Sequence, residues 1–160
     1  MRVAQYRNFD ISNGVDIGVA LYVQGCHFHC KGCFNEITWD FCGGKEYTNR
    51  LKQLIIEDLS KDYIKRLSVL GGEPLADENF NDVLELCKSV SKPIWLYTGY
   101  TFEDITKSTK SEILNDIDVL VDGRFMLNKK DLSLPFRGSS NQRVIDTKNS
   151  SIDNIVLLYR

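Results

Sequence analysis

Cys26, Cys30 and Cys33 lie within eight residues, in the run Gln24-Gly25-Cys26-His27-Phe28-His29-Cys30-Lys31-Gly32-Cys33-Phe34. Four cysteines are the usual complement of a cubic iron–sulfur cluster. A C-x3-C-x2-C set supplies three thiolates, holds three irons and leaves the fourth open to a small molecule. That is an arrangement for chemistry rather than for electron storage alone.

Other readings of the same thiols compete with this one. Cys30-x2-Cys33 resembles half of a zinc knuckle, with Cys26, Cys42, His27 or His29 able to complete it. Structural zinc sites normally present two spaced pairs, and the chain has no second C-x2-C. A thioredoxin-type C-x-x-C would leave Cys26 unexplained. Cys42 reads as a loop thiol, and Cys87, on the apolar face of a helix, as a core residue. His27 and His29 read as loop residues beside the ligands that tune them rather than join them. Phe34 is expected to pack over the site.

The elements that must position these residues follow from pattern. Val15 to Val23 is a β-rich run ending at the cysteine loop. Thr48 can cap a helix whose buried face carries Leu51, Leu54, Ile55 and Leu59. Leu67 to Leu70 is a short apolar strand stopped by Gly71-Gly72. Phe80, Val83, Leu84, Cys87 and Val90 mark a second amphipathic helix. Ile94 to Tyr97 is a strand, Phe102 to Leu114 a weaker helix, and Ile117 to Val121 a strand stopped by Asp122-Gly123. Val144-Ile145 and Ile155 to Leu158 are further strands.

Alternating strands and helices predict an α/β fold with mostly parallel strands. Right-handed crossovers then bring the strand C-termini to one rim. The cysteine loop, Gly71-Gly72-Glu73, Thr98-Gly99 and Asp122-Gly123 all follow strands, so all four motifs gather there. A complete eight-stranded barrel takes about 250 residues. With 160 residues, the expectation is a single domain, residues 1–160, built as an open, partial βα barrel of five or six strands.

Composition narrows the classes. Hydrophobic residues are 42% and charged residues 26%, with a net charge of -2, an ordinary globular balance. There is no basic excess for nucleic-acid binding by counterion release, and no apolar run long enough to span a bilayer. The opening Met1-Arg2-Val3-Ala4-Gln5 lacks the apolar core of a signal peptide, so a cytoplasmic protein is expected. Five cysteines, an odd number, favour metal or redox use over a disulfide framework.

C-x3-C-x2-C followed by an aromatic residue resembles the signature of the radical S-adenosylmethionine superfamily, and Gly71-Gly72-Glu73-Pro74 resembles its second motif. The resemblance narrows with Gln24-Gly25-Cys26, Cys33-Phe34-Asn35, Thr38-Trp39, Tyr97-Thr98-Gly99-Tyr100, Asp118 to Phe125 and Arg137 to Arg143. Together these are similar to the activating enzymes of anaerobic (class III) ribonucleoside-triphosphate reductases, from about Asp10 to Asp146. Where that family usually has tyrosine, aspartate and Asn-Gly-Pro-Gly, this chain has Phe34, Glu73 and Asn13-Gly14-Val15-Asp16.

The resemblance implies a [4Fe-4S] cluster on Cys26, Cys30 and Cys33, with S-adenosyl-L-methionine chelating the open iron through its amino and carboxylate groups. Reductive cleavage of that sulfonium yields methionine and a 5′-deoxyadenosyl radical, which takes a glycine Cα hydrogen from the reductase. Gly71 and Gly72 would let the ligand approach the backbone, and Glu73 would meet its ammonium or the backbone around it. Gly32, Cys33 and Phe34 would lie beside the adenine. Thr98 would hydrogen-bond the ligand, Asp122 would bind a ribose hydroxyl or Arg124, and Arg137 to Arg143 would seat the partner. A flavodoxin-type reductant is implied, and a homodimer or a complex with the reductase. The alternatives are activation of another glycyl-radical enzyme, a small-molecule radical reaction, and a non-catalytic zinc or electron-carrier module.

Overall fold

The computed structural model describes residues 1–160. One eight-stranded sheet runs in the order β3-β1-β2-β4-β5-β6-β7-β8. Its strands are β1 (Arg2–Asp10), β2 (Gly18–Gln24), β3 (Lys45–Glu46), β4 (Arg66–Gly71), β5 (Ile94–Tyr97), β6 (Val119–Asp122), β7 (Arg143–Asp146) and β8 (Leu157–Tyr159). The helices are α1 (Asn49–Leu59), α2 (Asp77–Ser89), α3 (Phe102–Thr106) and α4 (Ile113–Asp116).

The sheet is mixed. β2, β4, β5 and β6 pair in parallel, while β1, β3, β7 and β8 flank them through antiparallel ladders. The expected parallel character therefore holds for the centre and not for the sheet as a whole. The expected five or six strands become eight, chiefly because β1 was not foreseen. Arg2–Asp10 is only partly buried and alternates too weakly to signal a strand by itself. Its pairing with β2 is what makes it one.

The two faces of the sheet have different cover. Val19, Leu21, Val23, Leu67, Val69, Leu96 and Leu120 form one core with Ile55 and Leu59 of α1, Val83 and Leu86 of α2, Phe102 and Ile105 of α3 and Ile113 of α4. The alternate residues face the other way. Ala20, Tyr22 and Leu70 group there, as do Trp95, Val119, Val121 and Val144 with Phe136 and Tyr159. Loops rather than helices cover that second face. Because β2 is covered on both sides, all seven of its residues are buried, which is why it reads as a nearly continuous apolar run.

The expected helices form with two adjustments. Thr48 caps α1 by accepting the Leu51 N–H at 3.2 Å, but Leu54 is exposed and Leu51 only half-buried, so Ile55 and Leu59 carry the buried face. The single weak helix over Phe102–Leu114 divides into α3 and α4, the first opened by a capping box between Thr101 and Asp104.

A buried arginine organises the loop ahead of β2. The guanidinium of Arg66 donates to Val15 O at 2.8 Å, Ser68 Oγ at 2.7 Å, Gly14 O at 3.1 Å and the Asp10 carboxylate at 3.0 Å. Arg66 and Asp10 are both buried, and Asn13 donates to Asp10 through its backbone and its side chain. Gly14, at φ +146°, leaves room that a Cβ would take from Arg66 Nε, 2.6 Å away. Arg66→Met is expected to lower stability by roughly 3–5 kcal/mol, since it leaves a buried carboxylate without its counter-charge. Denaturant unfolding of the two proteins measures that difference.

Candidate active site

The four parallel strands end on one side, and the motifs expected on a common rim lie there. Cys26, Gly71, Gly72, Glu73, Thr98, Gly99, Gly123 and Arg124 line a single cavity of about 420 Å³, together with Cys30, Cys33 and Phe34. The cavity continues over the loop-covered face of the sheet to Asn13, Tyr22, Leu70 and Tyr97.

The cysteine loop is fastened at its base. Gly25 N donates to Thr38 O at 2.7 Å and Cys26 N to Trp39 O at 3.1 Å, so the loop closes on itself as a short ladder. The buried Gln24 side chain donates to Asp40 O at 2.7 Å and to Ile37 O at 3.2 Å. Cys26, Cys30 and Cys33 are all half-buried free thiols. Burial pushes the Cys26 and Cys30 thiols up, against the backbone N–H groups that face them. Metal ligation would release those protons. Asn35 N lies 3.3 Å from Cys33 Sγ. Donors aimed at sulfur suit an iron–sulfur cluster, whose potential is set partly by such bonds.

The three thiols share one cavity wall. Neither histidine joins them. His27 Nε2 lies 3.0 Å from Glu78 Oε1, and His29 stacks on Trp39 at 4.5 Å. Cys42 is exposed, and Cys87 is buried in the helix-side core.

Gly71 and Gly72 make room for protein before they make room for a ligand. Gly71 has φ +108°, and a Cβ there would lie 2.7 Å from Val23 O. A Cβ on Gly72 would collide with the Gly25 carbonyl oxygen and lie 3.0 Å from Thr38 O. The Gly-Gly turn thus packs directly on the root of the cysteine loop, and Glu73 N donates to Gly25 O at 2.8 Å. Both glycines also line the cavity, so this contact between loops stands beside the expected approach of a ligand to their backbone.

Glu73 is buried and occupied by its own chain. Its carboxylate accepts from Thr98 Oγ1 at 2.6 Å, Gly99 N at 2.8 Å and Leu75 N at 2.9 Å. Burial pushes its carboxyl up from the usual range, opposed by those three donors. Glu73 and Thr98 therefore tie the end of β4 to the end of β5.

Asp122 is also buried, and its carboxylate accepts from Phe102 N at 2.8 Å and from Arg143 Nε at 3.0 Å. Its arginine partner is thus Arg143 rather than the expected Arg124, and Asp122 is not among the cavity-lining residues. Arg143 also reaches Glu103 at 2.7 Å, and the two carboxylates hold its guanidinium firmly charged. Arg124 is left without a carboxylate. Its guanidinium lies over Phe28 at 4.2 Å, inside the cavity lining.

Residues 12–145 match the family described as a 4Fe-4S single cluster domain. The anaerobic ribonucleoside-triphosphate reductase-activating protein of Vibrio cholerae is 42% identical over 149 residues, which cover 89% of this chain and 96% of that protein. Its namesake from Escherichia coli K12 is 39% identical over 151 residues, 90% and 97% of the two chains. That of Enterobacteria phage T4 is 39% identical over 140 residues, 84% and 87%. The chain belongs to the family of anaerobic ribonucleoside-triphosphate reductase-activating proteins. It carries an iron–sulfur cluster domain, and no helix in it is long and apolar enough to cross a membrane.

Within this family member, one positioning residue lies outside every motif of the sequence. Asn79 of α2 is buried and donates to Gln24 O at 3.1 Å and Glu73 O at 3.0 Å, joining the cysteine loop to the Gly-Gly-Glu turn. A polar residue beside Phe80 on the apolar side of a helix was the available signal. Asn141 and Gln142 hold the other wall. Asn141 Nδ2 donates to Arg124 O at 2.8 Å and Gln142 Nε2 to Gly123 O at 2.9 Å.

Proposed function

We propose that this chain activates an anaerobic ribonucleoside-triphosphate reductase by generating a glycyl radical on it, with a [4Fe-4S] cluster and S-adenosyl-L-methionine as cofactors. The observation that carries this reading is one cavity walled by Cys26, Cys30 and Cys33 and by the Gly-Gly-Glu turn, in a chain of this family. A flavodoxin-type protein is the proposed electron donor. The sheet, with its helices on one face and its cavity on the other, is read as an open, partial barrel.

The residues divide the work. Cys26, Cys30 and Cys33 would hold the cluster and leave one iron for the amino and carboxylate groups of S-adenosyl-L-methionine. When bound, the cluster supplies one electron to the sulfonium of that co-substrate and so starts the hydrogen abstraction. Arg124, like Arg137, is a cavity cation with no carboxylate partner, and it would face the co-substrate carboxylate. Gly32, Cys33 and Phe34 would flank the adenine. Glu73, with Thr98 and Gly99, ties the ends of β4 and β5 beneath the ligand, and Asp122 ties the end of β6 to α3 and to Arg143 of β7. The cavity walls exclude water on the sheet side, which protects a radical from side reactions.

The test is anaerobic incubation of the reconstituted protein with S-adenosyl-L-methionine, reductant and the reductase. Electron paramagnetic resonance should show a glycyl-radical doublet on the reductase and none on this chain, with 5′-deoxyadenosine formed alongside. Fast turnover on a small molecule with no reductase present would refute the reading.

A further inference from the structure

The segment expected to seat the partner turns inward. Ser139 is fully buried, Gln142 Oε1 accepts from Gly138 N at 2.9 Å, and Arg143 is occupied by Asp122 and Glu103. What surrounds the cavity mouth on the outside is a different set. Phe34 is 57% exposed, Ile37 87%, Leu127 45% and Leu132 71%.

Phe34, Leu127 and Leu132 form one collar, with Ile37 following it on the chain. Phe34 packs on Phe125 at 5.0 Å, and Lys130 Nζ lies 5.3 Å over its ring. Leu127 Cδ1 covers Gly32, 2.9 Å from where a Cβ would stand. Leu132 shares the cavity lining with Phe34, and Ile37 sits on the 3₁₀ turn Glu36–Thr38 that follows the third cysteine. Isolated exposed apolar residues need no explanation, but a cluster rimmed by charge marks an interaction surface. Lys31, Arg124, Lys129 and Lys130 stand around it, all exposed, and none makes an ion pair. The acidic residues among them are Glu36, Asp40 and Asp131, fewer than the four cations. The collar is therefore positive on a chain whose net charge is -2.

We propose that this collar is the docking face for the reductase, which meets it with an apolar centre and an acidic rim and so closes the cavity over the inserted glycine. The inference rests on the function proposed above. A second copy of this chain fits poorly, because a two-fold contact sets the same patch against itself and would oppose lysine to lysine. An electron donor has no need to seal the cavity, whereas the radical step does.

Ile37→Asp and the double variant Lys129→Glu/Lys130→Glu test this, in the cluster-loaded protein. None of the three residues lines the cavity, so cluster content and reductase-free cleavage of S-adenosyl-L-methionine by dithionite should stay at wild-type levels. Reductase affinity, read by anaerobic calorimetry, should fall tenfold or more for each. Glycyl-radical yield should fall at limiting reductase and recover at excess. The salt dependence of wild-type binding should flatten in the lysine variant. Affinities within twofold of wild type overturn the proposal. So does a variant that alters only self-association, or only the rate of reduction by a flavodoxin. A wild-type protein that makes no radical on the reductase would instead refute the function on which the inference rests.

Discussion

Cys26→Ala, Cys30→Ala and Cys33→Ala are each expected to lose nearly all iron and sulfide after anaerobic reconstitution, while Cys42→Ala and Cys87→Ala keep theirs. The three thiols line one cavity, and a cluster already short of its fourth cysteine cannot spare another. Cys42 is exposed and outside that lining. Cys87 is buried among the helix-side apolar residues, where burial pushes its thiol up to about 12. A thiol so reluctant to ionise is a poor ligand. Its truncation should cost about 1 kcal/mol of stability through lost packing and leave the iron in place. Chemical iron and sulfide assays with the visible absorption of each variant decide the matter. If Cys42→Ala lost iron as fully as Cys30→Ala, the three-ligand assignment would be wrong.

The cysteine loop was legible because its chemistry depends on residue types and short spacings, which a sequence displays directly. The central strands were legible for a related reason. β4 and β5 are buried on both faces, so Leu67 to Leu70 and Ile94 to Tyr97 appear as compact apolar runs, and glycine or threonine follows each. The flanks were harder. β1 owes its existence to a partner strand rather than to its own pattern, and β3 is two residues held by Arg2 and Val3. The weak helix split because Phe102 and Ile105 pack as one turn and Ile113 as another. Only the sheet beneath decides where each turn stops.

Much of the site's internal wiring was illegible because it runs between residues far apart in the chain. Asn79 reaches back 55 positions to Gln24, and Arg66 reaches 56 to Asp10. Nothing local announces such pairs beyond a polar residue where an apolar one is expected. Asp122 illustrates the limit. Its place at a strand end on the rim was foreseen, yet which arginine it takes depends on the direction of β7, whose antiparallel pairing sets Arg143 opposite Asp122. That choice leaves Arg124 free to face the cavity.

Gly72 gives the sharpest expectation about how the two loops cooperate. Gly72→Ala should impair cluster retention and co-substrate binding together. The added methyl would collide with the Gly25 carbonyl oxygen, with the Gly25 carbonyl carbon at 2.9 Å and Thr38 O at 3.0 Å. All of these are backbone atoms, so no side chain can swing aside. Relief requires moving the Gly-Gly turn away from the residue that precedes Cys26. That movement would break the Glu73 N–H bond to Gly25 O and strain the Gly25 N–H bond to Thr38 O. Overpacking of this kind costs about 1–3 kcal/mol, and here it falls on the root of the ligand loop. Gly123→Ala is the control. Its φ of +92° carries backbone strain, but its Cβ would find nothing nearer than 3.8 Å, so it should lower stability and spare the iron. Iron content, S-adenosyl-L-methionine affinity and urea unfolding of the two variants separate the effects. A Gly72→Ala protein that kept all its iron and lost only the co-substrate would show that the glycine serves the ligand's approach and not the contact between the loops.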